Sequence, residues 1–196
     1  MPLFARWRAE RDLRRRSAAY VATLLREPSD DDANWLAEAA TRGDLDHARW
    51  ELRYARRAVG LVVAEREALD DRTGSSVGRE LAAAFERDPN IAADRLPVAR
   101  HQFNARLGAY RDVLTSRPPA ARSTTPRPAG SQIQTRLGQI LLAFAGGPVG
   151  LQAQEVARGG EIIAGYIDAS HEALRDAFGA ASLPENVTPS ALAPRS

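Results

Sequence analysis

Residues 44–72 decide the fold, and they read DLDHARWELRYARRAVGLVVAEREALDDR. Small and apolar residues, with Arg66 as the one charged member, recur along this stretch at alternating spacings of three and four, the period of one helix face. The positions on this face are Leu45, Ala48, Leu52, Ala55, Val59, Val62, Arg66 and Leu69. A helix over these 29 residues would be a rod about 43 Å long. The pattern therefore predicts one long central helix.

This helix carries a second apolar stripe. Trp50, Tyr54 and Leu61 lie off the first face, and a helix that is apolar on two sides has neighbours on two sides. Ala, the best helix former, is also frequent throughout the chain. The sequence thus predicts an all-α protein, a multi-helix bundle built on the central helix.

Local signals mark the neighbouring helices. Ser29 followed by Asp32 is a helix start, while Gly43 suits a helix end and Asp44 can cap the central helix. We expect a first helix over 2–27, a turn over 70–76, a helix from Val77 that ends at 88–89, and another from about 97 to 116.

The chain divides by composition. We predict an N-terminal helical bundle over 1–116, a Pro-rich linker over 117–130, a C-terminal helical hairpin over 131–181 and a flexible tail over 182–196. Ser131 and Gln134 have the spacing of a capping box, and Pro148 is positioned to open the last helix.

The last helix carries a regular seam of apolar and small residues. Val156, Gly160, Ile163 and Ile167 follow one another at spacings of four and three. Small seam residues allow two helix axes to approach closely. We therefore expect this seam to contact either the N-terminal bundle or a second copy of the chain.

The N-terminus combines apolar residues with arginine. Leu3, Phe4 and Trp7 are followed by an arginine cluster, and residues 1–28 hold seven Arg against three acids. The cluster includes Arg8, Arg11 and Arg15. This composition is typical of a helix that rests on an anionic surface. The alternative is a helix docked on the bundle, with its arginines paired to residues 29–89, where fourteen acids face nine Arg.

Two missing residue types exclude several chemistries. The 196 residues contain no Cys, which excludes disulfides, thiolate catalysis and Cys-bound zinc or iron–sulfur clusters within this chain. All 27 basic residues are Arg, so a P-loop lysine and a Schiff-base lysine are excluded as well.

The remaining chemical candidates are few. Two Asp-x-x-His units, each with a Glu nearby, have the spacing of metal ligands on a helix face. They are Asp44 with His47 and Glu51, and Asp168 with His171 and Glu172. Both units fall beside the helix seams, so we interpret them as caps and surface polar pairs. We predict no metal, no cofactor and no catalytic residue.

The sequence is therefore most typical of a non-catalytic helical interaction protein, an adaptor or assembly subunit. The interaction residues predicted from the two ends of the chain are Leu3, Phe4, Trp7, Arg8, Arg11, Arg15, Val156, Gly160, Ile163 and Ile167. We expect a protein partner or a homo-oligomer, and no small-molecule substrate is evident.

Two alternatives stay open. One is a peripheral module that binds an anionic membrane or nucleic acid through the Arg-rich N-terminal helix; nucleic acid is less favoured because the acidic block offers internal partners. The other is a carboxylate and histidine metal-binding bundle. We expect a cytoplasmic location, because charges precede any apolar run at the N-terminus and the most apolar run, 137–151, is shorter than a membrane span.

Overall fold

The computed structural model describes residues 2–68, 71–115, 129–148, 150 and 152–179. Within these ranges the chain forms seven α-helices and one 3₁₀ turn, and it contains no strand. The helices are α1 (Pro2–Leu24), α2 (Asp30–Ala39), α3 (Leu45–Glu67), α4 (Asp71–Glu86), α5 (Leu96–Thr115), α6 (Ala129–Phe144) and α7 (Ala153–Phe178), and the 3₁₀ turn is Ala93–Arg95. The predicted all-α bundle is confirmed.

Helix α3 lies against all six other helices. Both of its predicted apolar faces are used: Leu52 and Val59 of the first face are buried, as are Tyr54 and Leu61 of the second. The predicted length was wrong, however. Helix α3 has 23 residues rather than 29, and α7 is longer, with 26.

The predicted joint between α2 and α3 is confirmed. The Ser29 side chain accepts a hydrogen bond from the Asp32 amide at 3.1 Å, and the Asp44 side chain accepts one from the His47 amide at 2.9 Å. Between the helices, Gly43 has a φ of +87° and its amide donates to the Ala37 carbonyl at 2.8 Å. Glycine suits this left-handed conformation, which ends α2 and turns the chain into α3.

The predicted turn over 70–76 was wrong, because α4 already begins at Asp71. The small polar residues of this stretch serve close packing instead. A Cβ atom on Gly74 would lie 3.5 Å from the Glu65 Cα, and the buried Ser17 hydroxyl donates to the Ser76 hydroxyl at 2.8 Å. Tertiary contacts with α1 and α3 thus override the weak helix propensity of Gly and Ser.

Helices α6 and α7 form the predicted hairpin, and their backbones approach very closely. A Cβ atom on Gly138 would lie 2.7 Å from the Gly160 amide nitrogen, and one on Gly160 would lie 2.5 Å from the Gln134 carbonyl oxygen. Only residues without a side chain fit this crossing. The small residues of the α7 seam therefore serve the contact between α6 and α7.

The ends of the hairpin helices differ from the prediction. Helix α6 begins at Ala129, so Ser131 lies inside the helix rather than at its start. Helix α7 begins at Ala153, five residues after Pro148, where the Glu155 side chain accepts a hydrogen bond from the Gln152 amide at 2.9 Å, as in a capping box. Side-chain capping thus sets the start of α7, rather than the fixed φ of proline.

The hairpin packs on the other helices. Helix α7 contacts α1 and α3, and α6 contacts α5 and α3, so residues of both parts share one apolar core. The division into a bundle (1–116) and a hairpin (131–181) stays a prediction about folding units. Apart from Ala129 and Gly130, which belong to α6, the predicted linker lies outside the described residues, as does the predicted tail.

None of the helices in the described ranges combines the length and apolar character that crossing a bilayer requires.

Candidate interaction surface

Four of the predicted interaction residues, Trp7, Arg8, Arg11 and Arg15, lie on one side of α1. Arg11 follows Trp7 by four residues and Arg8 by three, and Arg15 follows Arg11 by four, so all of them share one helix face. All four side chains are exposed. Trp7 is 59% exposed, and within the described residues the one other exposed large hydrophobic residue is Val98, at 50%. We call these four residues the α1 outer face.

The opposite side of α1 is anchored in the core, which fixes the direction of the outer face. Tyr20, Val21 and Leu24 are buried, and the Tyr20 hydroxyl donates a hydrogen bond to the Gly60 carbonyl of α3 at 2.7 Å. The buried hydrogen bond between Ser17 and Ser76 ties the same side of α1 to α4. Helix α1 therefore cannot rotate to bury Trp7 without losing these contacts.

The charges of the outer face are only partly compensated. Among the described residues, Arg8 and Arg11 have no carboxylate partner. The Arg11 guanidinium instead lies 5.5 Å from the centroid of the Trp7 ring, a cation–π distance. Arg15 and Arg16 share the single carboxylate of Asp12 at 2.7 Å each, and the hydrogen bond from Arg15 lowers the pKa of Asp12. The face therefore carries a net positive charge.

Pairing of α1 with the acidic block occurs at its sides. Arg14 pairs with Glu80 of α4 at 3.1 Å, and Glu10 pairs with Arg72 at 3.3 Å. The alternative of a docked helix with paired arginines is thus found for Arg14; in the part of the chain that the structure describes, it is not found for Arg8 or Arg11.

Leu3 and Phe4 belong to α1 by their backbone, but their side chains lie outside the described residues. Their contribution to the interaction surface stays a prediction.

The predicted interaction residues of α7 lie inside the chain. Val156 and Ile163 are buried, at 8% and 0% exposure, Gly160 lies against α6, and Ile167 is half-buried. A surface that already contacts α6 is not available to a second protein while the hairpin is closed. Within one chain, the close helix approach that these residues predict takes place between α6 and α7, and contact with a second copy stays a prediction.

The interpretation of Glu51 as a surface residue was wrong. Glu51 is 3% exposed, and its two carboxylate oxygens bind Arg106 of α5, with the Arg106 Nε at 2.9 Å from Glu51 Oε2. The His47 Nε2 lies 3.4 Å from Glu51 Oε1. The pair of Glu51 and Arg106 holds α3 and α5 together where little water reaches. Removing one partner would leave a buried charge unpaired and would lower the stability of the fold.

A second interior pair joins Arg57 and Asp88 at 3.0 Å. Burial raises the pKa of Asp88, but hydrogen bonds from the Asn90 amide and from Arg57 outweigh this effect and hold the pKa below its usual value. The Arg57 guanidinium also lies 5.0 Å from the Phe85 ring centroid. Arg57 falls on the second stripe of α3, between Tyr54 and Leu61, and this position is a sequence signal of its burial. Glu51 falls between the two apolar faces, and no comparable signal marks it as buried.

The two Asp-x-x-His units are not assembled into a metal centre. Asp44 caps α3, whereas Asp168 and Glu172 are exposed on α7 and His171 is half-buried there. In the ranges that the structure covers, no three His, Asp or Glu side chains are grouped as ligands of one ion.

Comparisons with protein-family models, with curated proteins and with solved structures find no match to this chain.

Proposed function

We propose that this chain is a non-catalytic interaction protein, an adaptor or assembly subunit, that binds an acidic surface of a protein partner through the α1 outer face. The observation that carries this proposal is the exposed Trp7 beside Arg8 and Arg11, two arginines without carboxylate partners in the described chain. Trp and Arg are the residue types most enriched among those that dominate binding energy in protein interfaces.

The charge of the outer face defines the chemistry of the partner. Arg8 and Arg11 are available for bidentate hydrogen bonds with carboxylates, and Trp7 offers a large ring that a partner can cover. Complementary charge also accelerates association and excludes basic partners. A partner surface with Asp or Glu around an apolar patch fits these requirements.

The partner can be identified by photo-crosslinking in the cells that make this protein. A benzophenone side chain at Ala18, which is exposed one turn beyond Arg15 on α1, should yield a defined adduct, and the same group at the exposed Ala82 of α4 should not. The double variant R8E/R11E should remove the adduct. The variant R42E/R79E makes the same charge change at exposed arginines elsewhere and should leave the adduct intact.

Two results would overturn this proposal: equal crosslinking from Ala18 and Ala82, or an adduct that persists in R8E/R11E. Either one would mean that the captured protein does not bind through the charges of the α1 outer face.

An anionic lipid surface is a second candidate partner. It is favoured because the exposed Trp7, together with Leu3 and Phe4, lies in the same helix as the arginines. Each Arg near such a surface contributes about 1 kcal/mol, and salt screens this attraction. Flotation with phosphatidylserine vesicles should show binding that salt removes, with none to phosphatidylcholine vesicles. Equal flotation of wild type and R8E/R11E would exclude this candidate.

The other expectations stay predictions with simple tests. Mass photometry measures whether the chain forms a homo-oligomer, elemental analysis of the purified protein tests for a metal-binding bundle, and cell fractionation tests the cytoplasmic location.

A further inference from the structure

A cavity of about 410 Å³ lies between α3, α5 and the 3₁₀ turn, well apart in sequence from the α1 outer face. Its apolar side includes Trp50 and Tyr54, whose ring centroids are 5.5 Å apart, together with Ile91 and Val98. Val98 is 50% exposed, so the cavity is open on this side. Cavities of roughly 300–1,000 Å³ with a mainly apolar lining and a few polar groups are typical of small-molecule sites.

The polar side of the cavity is rich in hydrogen-bond donors. The Gln102 side-chain oxygen lies 3.3 Å from the Tyr54 hydroxyl and accepts its hydrogen bond, while the Gln102 amide nitrogen has no protein partner among the described residues. An amide nitrogen carries two N–H groups. The cavity therefore presents free donors next to an aromatic wall.

The cavity also has an excess of positive charge. Glu51 is neutralised because both of its carboxylate oxygens bind Arg106. Arg95 also lines the cavity, and its only carboxylate contact in the described chain is the exposed neighbour Asp94, at 3.7 Å. Asp94 is not among the residues that line the cavity, and Glu51 balances Arg106, so the lining itself carries one net positive charge, on Arg95. His47 also lines the cavity, where its Nε2 lies 3.4 Å from Glu51 Oε1.

We propose that this cavity binds a small planar aromatic molecule that carries a carboxylate. The ring packs against Trp50 and Tyr54, and the carboxylate accepts hydrogen bonds from the Gln102 amide and faces the charge of Arg95. Offset aromatic contacts and charge-assisted hydrogen bonds both favour such a ligand. An aromatic cation is disfavoured, because Glu51, the carboxylate in the cavity lining, is already bound on both oxygens.

Benzoate, benzamide and benzamidine are suitable probes, because they share the ring and differ in charge. We expect benzoate to bind with a dissociation constant on the order of 1 mM, as suits a ligand of so few atoms. In nitrogen-15 NMR spectra of the full chain, the indole N–H signal of Trp50 should shift while those of Trp7 and Trp35 stay in place. Benzamide should bind about tenfold more weakly, and benzamidine should leave the Trp50 signal unchanged.

Variants at the cavity distinguish this site from non-specific binding. V98E places an acid at the open side and should abolish the benzoate shift, whereas A105E, an equal charge change at an exposed position of α5, should leave it intact. Q102A should weaken binding about fivefold through one lost hydrogen bond, and Q139A on the exposed side of α6 should not.

The proposal is overturned if the three probes bind equally, if Trp50 does not respond to benzoate, or if V98E and A105E behave alike while both retain the helical circular dichroism of the wild type. A response of Trp7 alone would instead indicate that benzoate binds at the α1 outer face.

Discussion

Arginines inside the bundle and arginines on the α1 outer face have different environments. Arg57 and Arg106 lie in the interior, and each binds a carboxylate from another segment, Asp88 and Glu51 respectively. Arg8 and Arg11 lie outside, and neither has a carboxylate partner among the described residues. Both groups include contacts with aromatic rings, so the carboxylate is what distinguishes them.

The difference follows from the free energy of burying a charge. An ion taken out of water without a partner destabilises the fold by several kcal/mol, so an interior arginine requires a carboxylate. An exposed arginine remains hydrated, and the absence of a partner costs the fold nothing. The interior arginines thus define how α3 packs, whereas those on α1 remain available for binding.

The largest predicted effect contrasts two pairs that both join α3 to α5. Glu51 with Arg106 is buried, while Glu65 with Arg111 is partly exposed, with side-chain exposures of 37% and 41%. We expect E51A to lower the free energy of unfolding by about 3–5 kcal/mol and E65A by less than about 1 kcal/mol. Urea denaturation of the two variants measures both. Equal losses would remove the distinction between interior and surface pairs.

The interior should also determine the response to alkali. Burial raises the pKa of Tyr166 to about 12 and raises the pKa of Tyr20 and of Tyr110 as well. The unfolded chain releases these protons near pH 10 and the folded chain only at higher pH. The contribution of these tyrosines to stability is therefore fully present below about pH 10 and is lost as the pH rises above it. Tyr166 alone should account for about 2–3 kcal/mol by pH 12.

Phenolate absorbance at 295 nm, measured together with urea denaturation between pH 8 and pH 12, tests this prediction. If these tyrosines ionised near pH 10 while the protein stayed folded, the interior would be wetter than the packing implies.

Two glycines of α7 differ in their surroundings, since one lies against α6 and the other is exposed. Gly160 lies against Gln134 of α6, whereas a Cβ on the exposed Gly165 would meet no atom within 4 Å. We expect G160A to destabilise the protein by about 1–3 kcal/mol through overpacking. G165A should stabilise it by up to about 1 kcal/mol, because Ala is the better helix former. Thermal denaturation should show a lower melting temperature for G160A and a higher one for G165A. An unchanged melting temperature for G160A would contradict the close approach of α6 and α7.

The smallest predicted effect on stability belongs to the outer face. The variant R8A/R11A should change the free energy of unfolding by no more than about 0.5 kcal/mol, because it breaks no ion pair within the described chain. Urea denaturation measures this. A loss of several kcal/mol would show that these arginines stabilise the fold and would weaken their assignment to a partner.

Much of the fold was predictable because its signals are local. The two stripes of α3 and the joint formed by Gly43 and Asp44 can be derived from a few neighbouring residues. The start of α4 was not, because the helical state of Gly74 and Ser76 depends on contacts with α3 and α1. The start of α7 was predicted at Pro148 because proline is a conspicuous signal, whereas the capping box at Gln152 is less so.

The residues of the candidate surface were predictable from the sequence, but the ion pairs between its arginines and distant carboxylates were not. The sequence indicates that Trp7 and the arginines lie on α1, but it does not tell which arginine meets a carboxylate, since Arg14 and its partner Glu80 are 66 residues apart. The same holds for Glu51 and Arg106, 55 residues apart, and for the cavity beside them. Such contacts depend on the packing of whole helices.

The central claim is that Arg8 and Arg11 bind acidic residues of a partner. Its most direct test is a double-mutant cycle between R11E and an acid-to-arginine change in the crosslinked partner. We predict that each single change weakens binding at least about tenfold and that the two together restore most of the affinity. If the double variant binds no better than the weaker single variant, the charges do not meet and the claim is wrong.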